Sequence, residues 1–241
     1  MDRLVQMRIR LRERLEQRFG VHVFRASRHG HRDCIDLKRS GCQFSVVFDV
    51  GANEGDSALR FRAAFPKATV YSFEPVHGTF EDLKRNVGGD DLIKPYQLAL
   101  GSKDGDATIY LTGDTYTNSL VKPDRSVGSE VVKVRTLDGF TSENGIERID
   151  LLKIDTEGLD LEVLKGAHKK LSSGRVAFVL VEVGFHPGDA RHVLFDDVRS
   201  FLVPMGFAVF GIYDQQPEWS GENRLRFANA CFCNESACIR A

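Results

Sequence analysis

From residue 45 onward the chain alternates two patterns that together fit only a parallel sheet covered by helices. Short apolar, β-branched runs are each followed by a stretch with helical spacing. Val46-Val47-Phe48-Asp49-Val50 ends in the glycine turn Gly51 to Gly55, and Ser57 to Phe65 then repeats at helical spacing until Pro66. Thr69 to Phe73 is a second buried-type strand; Glu74-Pro75 and a helix through Phe80, Leu83 and Asn86 follow, closed by Gly88-Gly89. Tyr96 to Leu100 is a third strand before the turn Gly101 to Gly105. The polar runs Ala107 to Leu111 and Val131 to Arg135 read as an inserted hairpin. The rhythm returns with a strand from Ile149 to Ile154, a helix from Asp160 to Leu171, a strand from Val176 to Val183 and a helix from Asp189 to Phe201. Phe207 to Tyr213 and Phe227 to Cys233 have too little chain between them for a crossover, so they pair antiparallel. The expectation is an α/β fold: a doubly wound, mostly parallel seven-stranded sheet with an antiparallel last strand, preceded by an N-terminal helix.

Such sheets bind ligands at the carboxyl ends of their strands, which narrows the search to Asp49 to Gly55, Glu74-Pro75, Ala99 to Ser102, Asp155 to Gly158 and Glu182 to His186. Gly51 and Gly55 let the chain turn sharply and approach a ligand with its backbone, while Asp49 and Asn53 offer a carboxylate and an amide. The G-x-G-x-x-G spacing of a dinucleotide site is absent. Glu54 and Asp56 beside the turn would repel a diphosphate and favour a cationic sulfonium. Glu74, at the end of the second strand, can accept both hydroxyls of a ribose. A nicotinamide dinucleotide and S-adenosylmethionine both present that ribose; the glycine spacing, not Glu74, chooses between them.

The 241 residues suit one α/β domain with appendages, and 42% hydrophobic residues suffice for a sizeable core. The 33 basic and 34 acidic residues give a net charge of −1, against the basic footprint of a protein that grips nucleic acid. The balance is uneven. Residues 1–32 carry nine Arg against Asp2, Glu13 and Glu16, leaving the rest at −7. Leu4, Met7, Leu11, Leu15 and Phe19 make that leader an amphipathic helix stopped by Gly20. Its stripe packs on the domain or on a second copy in a homodimer; the sharper alternative is contact of residues 1–20 with an anionic membrane surface or an acidic partner protein. Residues 21–45 read as a connector, so 1–44 stand apart from a domain over 45–241. No stretch reaches the ~18 apolar residues of a membrane span, and Met1 to Gly20 lacks a signal-peptide core, which makes the cytoplasm the expected location. Five Cys without a secretory signal are expected to be reduced, with Cys231, Cys233 and Cys238 as buried, inert thiols in a final strand and not a zinc site.

The residues also resemble a known family, the FkbM-type methyltransferases, a Rossmann-like branch of the S-adenosylmethionine-dependent enzymes. The resemblance runs from about Val46 to Gly166, with a weaker continuation to Phe232. It rests on Val47 to Gly55, Phe73-Glu74-Pro75 with Thr79 to Leu83 and Asn86, and Leu98 to Gly101 with Gly105. Asn118-Ser119-Leu120, Thr136-Leu137-Asp138, Ile149 to Gly158 and Glu162 to Gly166 complete it. His77 departs from it, where the family often has proline. The resemblance implies that Asp49, Gly51, Asn53 and Gly55, with Ala52 and Ser57 beside them, hold the methionine end of S-adenosylmethionine. Glu74, next to Pro75, would take the ribose, Leu98 to Leu100 (Ala99 and Leu100 foremost) the adenine, and Asp155 would sit near the methyl group, with Glu157 and Gly158 shaping the turn behind it.

Methyl transfer from a sulfonium depends on alignment of the acceptor oxygen, and a hydroxyl acceptor must also lose its proton. Asp155, Glu182 and His186 are the candidate bases; for His186 an ordinary loop histidine, and for Glu182 a buried backbone cap, are the plainer readings. Gly113 to Gly128, with Tyr116, Asn118, Ser119 and Lys122, reads as part of an acceptor lid or a plain hairpin. No metal is expected. The reading is therefore an O-methyltransferase acting on a hydroxyl of a glycan or other small molecule such as a secondary metabolite, without nucleic acid as partner. The alternatives are an NAD-dependent oxidoreductase and a non-catalytic adenosyl-binding scaffold.

Overall fold

The computed structural model describes residues 32–111, 128–187, 189, 191–217 and 224–239. The basic helix expected before Gly20 and most of the 113–128 loop, Asn118-Ser119-Leu120 included, lie outside them. In chain order the first elements are α1 (Arg32–Arg39), β1 (Val46–Val50), α2 (Asp56–Ala64), β2 (Thr69–Phe73), α3 (His77–Val87) and β3 (Ile93–Tyr96). Then come β4 (Ala99–Leu100), β5 (Gly105–Leu111), β6 (Gly128–Arg135), α4 (Leu137–Glu143), β7 (Ile149–Ile154), α5 (Asp160–Gly166) and α6 (His168–Ser172). The last are β8 (Val176–Gly184), β9 (Val193–Leu194), α7 (Phe195–Leu202), β10 (Ala208–Pro217) and β11 (Leu225–Cys233).

The main sheet has the order β10-β11-β8-β7-β1-β2-β3, with β9 paired to β8 off that path. β3, β2, β1, β7 and β8 run parallel, while β11 is antiparallel to both β8 and β10. Central strands buried on both faces favour apolar residues at successive positions; β8 departs from this only at Glu182, and β7 at Asp150 and Lys153, which are buried with charged or polar partners. Alternation along β1 sends Val47 toward Phe61, Leu83 and Leu37 of α1, α2 and α3, and Phe48 and Val50 toward Phe140, Val163, Leu171 and Val198 of α4 to α7. Helices thus cover both faces, as expected. The chain order reverses between β1 and β7, and at such a switch point a crevice opens at the strand ends.

Several boundaries differ from the sequence reading. The third strand of the sheet is Ile93–Tyr96, because Pro95 is tolerated in an edge strand that pairs on one side only. Ala99-Leu100 instead joins the expected hairpin, β5 with β6, in a separate three-stranded sheet. The helix expected over Asp160 to Leu171 breaks at Ala167. There Gly166 lies so close to Gly101 that a Cβ would sit 2.0 Å from its carbonyl oxygen, and Asp138 accepts the freed N–H groups of Lys169 and Lys170 at 2.8 and 3.0 Å. The helix expected from Asp189 starts at Phe195, since Val193-Leu194 pairs with β8. Helix α4, capped by Thr136, was not expected. Nor was α1 inside the presumed connector, whose Cys34 and Leu37 are buried in the core.

The thiol expectation is corrected in part. Cys42 and Cys238 form a disulfide with Cα atoms 5.7 Å apart, where Gln43 N–H donates to the Ile239 carbonyl at 2.8 Å. This contact between the entry to β1 and the chain's last turn spans 196 residues, so local sequence could not announce it. Cys231 and Cys233 are buried in β11 as thiols, as expected.

Candidate active site

The parallel ladder continues past the strand ends and draws three loops together. Gly51 and Ala52 N–H both donate to the Phe73 carbonyl at 3.0 Å, Asp155 N–H to Val50 at 3.0 Å, and Glu74 N–H to Tyr96 at 3.1 Å. Gly51 (φ 75) is pressed onto the β7 loop so closely that a Cβ would lie 1.8 Å from the Asp155 carbonyl oxygen. Asn53 also takes a left-handed conformation (φ 46), which asparagine tolerates. Its N–H donates to Glu74 Oε2 at 3.2 Å, and Val76 N–H donates to Oε1 at 2.9 Å. Glu74 is only 7% exposed. Burial pushes its carboxyl up, the two backbone donors and Lys153 pull it back, and the balance leaves it at about 7. Each oxygen holds one donor and keeps acceptor capacity.

Beneath the turn lies a buried charge cluster. Asp49 and Lys153 are direct register partners on β1 and β7. Lys153 Nζ donates to the Gly51 carbonyl at 2.9 Å and lies 3.2 Å from Asp49 Oδ1 and 3.5 Å from Asp155 Oδ2. Ser57 Oγ donates to Asp49 Oδ2 at 2.6 Å. Burial works against the Lys153 ammonium, but Asp49 and Asp155 outweigh it and hold its pKa above the ordinary lysine value. Lys153 therefore stays charged and ties the glycine turn to both carboxylates. Sequence reasoning passed it over, although a lysine inside a mostly apolar, fully buried strand demands a partner.

On the far side of Asp155 the β7 and β8 loops gather Glu157, Glu182, Asp189 and His192. His192 Nε2 lies 3.0 Å from Glu182 Oε2 and Nδ1 2.8 Å from Asp189 Oδ2, with Arg226 Nε 3.2 Å from the same Asp189 oxygen. Burial and the charges of Asp155 and Glu182 push Glu157 up to about 7. His186 is exposed in the turn after β8, and its carbonyl accepts from Asp189 N–H at 3.0 Å. The histidine that reaches Glu182 is His192, which sequence reasoning missed because only the fold-back through β9 brings it there.

Of the residues expected at the cofactor, Asp49, Gly51, Ala52, Asn53, Ser57, Glu74 and Asp155 converge on this crevice, and Pro75 follows Glu74 directly. Gly55 starts α2 with φ 100, packed so that a Cβ would meet Val87 and Leu83 at 2.8 and 2.9 Å. Ala99 and Leu100 give their side chains to the core, Ala99 against Val76 and Leu100 within the Phe48 and Phe73 cluster. Among the described residues the buried Asn53 Oδ1 has no hydrogen-bond partner, so the crevice offers hydrogen-bonding capacity suited to a polar ligand. Among the described residues no group of three or more His, Cys, Asp or Glu is arranged to hold a metal ion.

Residues 49–209 match the model of the Methyltransferase FkbM domain. The hexuronic acid methyltransferase AglP of Haloferax volcanii is 32% identical over 169 residues, 68% of either chain. The 2-O-methyltransferase NoeI of Sinorhizobium fredii is 27% identical over 191 residues, 73% of this chain and 76% of its own. An rRNA methylase structure from Streptococcus thermophilus superposes with a TM-score of 0.50 at 11% identity over 88% of this chain and 99% of that one, a likeness of fold. These matches displace the oxidoreductase alternative.

Proposed function

The chain belongs to the FkbM methyltransferase domain family, and we propose that it transfers the methyl group of S-adenosylmethionine to a hydroxyl oxygen of a glycan or other small molecule such as a secondary metabolite. The names of its relatives support an oxygen acceptor: one is a 2-O-methyltransferase and another methylates a hexuronic acid. The acidic balance of the chain outside its leader speaks against nucleic acid. No helix among the described residues is long and apolar enough to cross a membrane. A cytoplasmic location, a homodimer, and contact of residues 1–20 with a membrane surface or partner protein belong to the same proposal.

The residues fit the cofactor. Asp49, Gly51, Ala52, Asn53, Gly55 and Ser57 would hold its methionine end, Glu74 beside Pro75 its ribose, and Ala99 and Leu100 the side of the adenine. When bound, it supplies an electrophilic methyl carbon on a positively charged sulfur leaving group. The protein's work is then to align an acceptor oxygen and to receive its proton, for which Asp155, Glu182 and His186 stand at the rim. Lys153 keeps Asp155 in place, and the rim carboxylates favour a cation over a diphosphate.

The observation that carries this reading is the buried Glu74 carboxylate, held by Asn53 and Val76 N–H beside the glycine turn. Calorimetry should show the protein binding S-adenosylhomocysteine, and Glu74→Ala should weaken that binding by roughly tenfold or more. Unchanged affinity in the variant would overturn the ribose assignment.

A further inference from the structure

We propose that His192 is a positioning residue for the transfer, a fixed imidazolium clamped between Glu182 and Asp189 that aims the Glu182 carboxylate at the acceptor's proton. The inference rests on the proposed O-methylation and adds to it a choice among the candidate bases. Its ground is geometric. A carboxylate oxygen lies 3.0 Å from one ring nitrogen of His192 and another 2.8 Å from the other. A neutral imidazole has one N–H and would turn its lone pair on one of those carboxylates; only the doubly protonated ring donates to both.

The surroundings fix this state. His192 has a side-chain exposure of 7%, and its ring stacks on Phe227 with centroids 4.5 Å apart at 13°. Arg226 reaches Asp189 from β11, and Asp189 accepts Arg191 N–H at 3.0 Å, so the second carboxylate is tied to its own loop. A Cβ on Gly184 of β8 would come within 3.1 Å of His192 Cβ, so backbone and side chain pack together. The charged groups facing the ring are Glu182 from β8, Asp189 from its own loop, Arg226 from β11, and Glu157 with Arg191 near it from the β7 and β9 sides. Burial alone would push His192 down; its hydrogen bonds to Glu182 and Asp189 outweigh that and carry it up to about 9.

A ring that donates from both nitrogens cannot accept a proton, so His192 is not the base. Glu182 gives its Oε2 to His192, so Oε1 is the oxygen assigned to the acceptor. As the acceptor oxygen bonds the methyl carbon and the carbon–sulfur pair stays with sulfur, the acceptor's proton passes to Glu182 Oε1 and from there to solvent. The imidazolium fixes the direction of the Glu182 carboxylate for this step.

The test uses the full chain with S-adenosylhomocysteine bound and begins with nitrogen NMR of the histidine rings. Both His192 nitrogens should stay protonated beyond about pH 8, and Glu182→Gln should lower the midpoint; a ring that is neutral at pH 7 overturns the proposal. With methyl glucuronide as acceptor, His192→Gln should leave S-adenosylhomocysteine affinity within about twofold, lower kcat about a hundredfold and move the acid limb of the kcat profile to higher pH. An unchanged limb and unchanged kcat overturn it. Should His192→Gln fail to fold, Asp189→Asn must lower the His192 midpoint and shift the same limb in the same direction, or the clamp is refuted. Wild type that does not bind S-adenosylhomocysteine refutes the proposed function and not the clamp. Wild type that binds it but leaves methyl glucuronide unmodified refutes the acceptor class, and with it the proton transfer to Glu182.

Discussion

The ribose contact proposed for Glu74 would couple cofactor binding to pH. The Glu74 carboxyl sits at about 7 because it is buried. A carboxyl whose pKa is higher in the fold than in the unfolded chain contributes stability that is fully present below the unfolded value and lost as pH rises through about 7. The proposed contact has the opposite preference, because ribose hydroxyls would donate to the ionised form. S-adenosylhomocysteine should therefore displace a proton from Glu74, and its affinity should fall about tenfold from about pH 8 to about pH 6. Calorimetry in buffers of different ionisation enthalpy would count that proton, and Glu74→Gln should bind weakly with no slope. The place of Glu74 was legible because it directly follows a buried strand, at the edge of the sheet where the loops meet. Lys153 and His192 were not, since their roles arise from pairs: a register partner on β1 for Lys153, a loop folded back across β8 for His192.

At the scale of elements, the site depends on β1 and β7 ending against each other. Gly51→Ala would place a Cβ 1.8 Å from the Asp155 carbonyl in a backbone that already has φ 75. Gly145 has a comparable φ of 64 with nothing within 4 Å, so Gly145→Ala carries only the cost of the left-handed backbone. In urea unfolding Gly145→Ala should cost about 1 kcal/mol and Gly51→Ala about 3 kcal/mol or more, the difference measuring the close approach. Equal losses would show that the turn yields without strain. The strands meeting here were readable because a strand buried on both faces leaves a run dominated by apolar residues, interrupted here by Asp49, Asp150, Lys153 and Glu182. The breaks at Ala167 and before Phe195 were not, because they answer to distant backbone: Gly101 against Gly166, and β8 pairing with Val193 and Leu194. The two-residue β4 was likewise too short for any periodicity to mark.

On the whole molecule, the switch-point crevice and the Cys42–Cys238 disulfide lie at opposite ends of β1. The crevice begins after Val50, whereas Cys42 precedes Val46 and joins the chain's last turn beside the Gln43–Ile239 hydrogen bond. The link closes a separation of 196 residues, so it restrains the unfolded chain far more than it shapes the site. Its loss should lower stability by about 2–4 kcal/mol, on the order of 10 °C in Tm for a domain of this size. The crevice, held by the Gly51, Asp155 and Glu74 backbone contacts, should be indifferent. Cys42→Ser with Cys238→Ser should therefore melt earlier in calorimetry while binding S-adenosylhomocysteine with wild-type affinity; weakened binding at a temperature where the variant is folded would show that strain passes along β1. The same pair reports on location. Reducing agent should reproduce the double variant's Tm, and alkylation followed by mass spectrometry of protein taken directly from cells would find Cys42 and Cys238 alkylated if the chain works in a reducing cytoplasm, and protected if it does not.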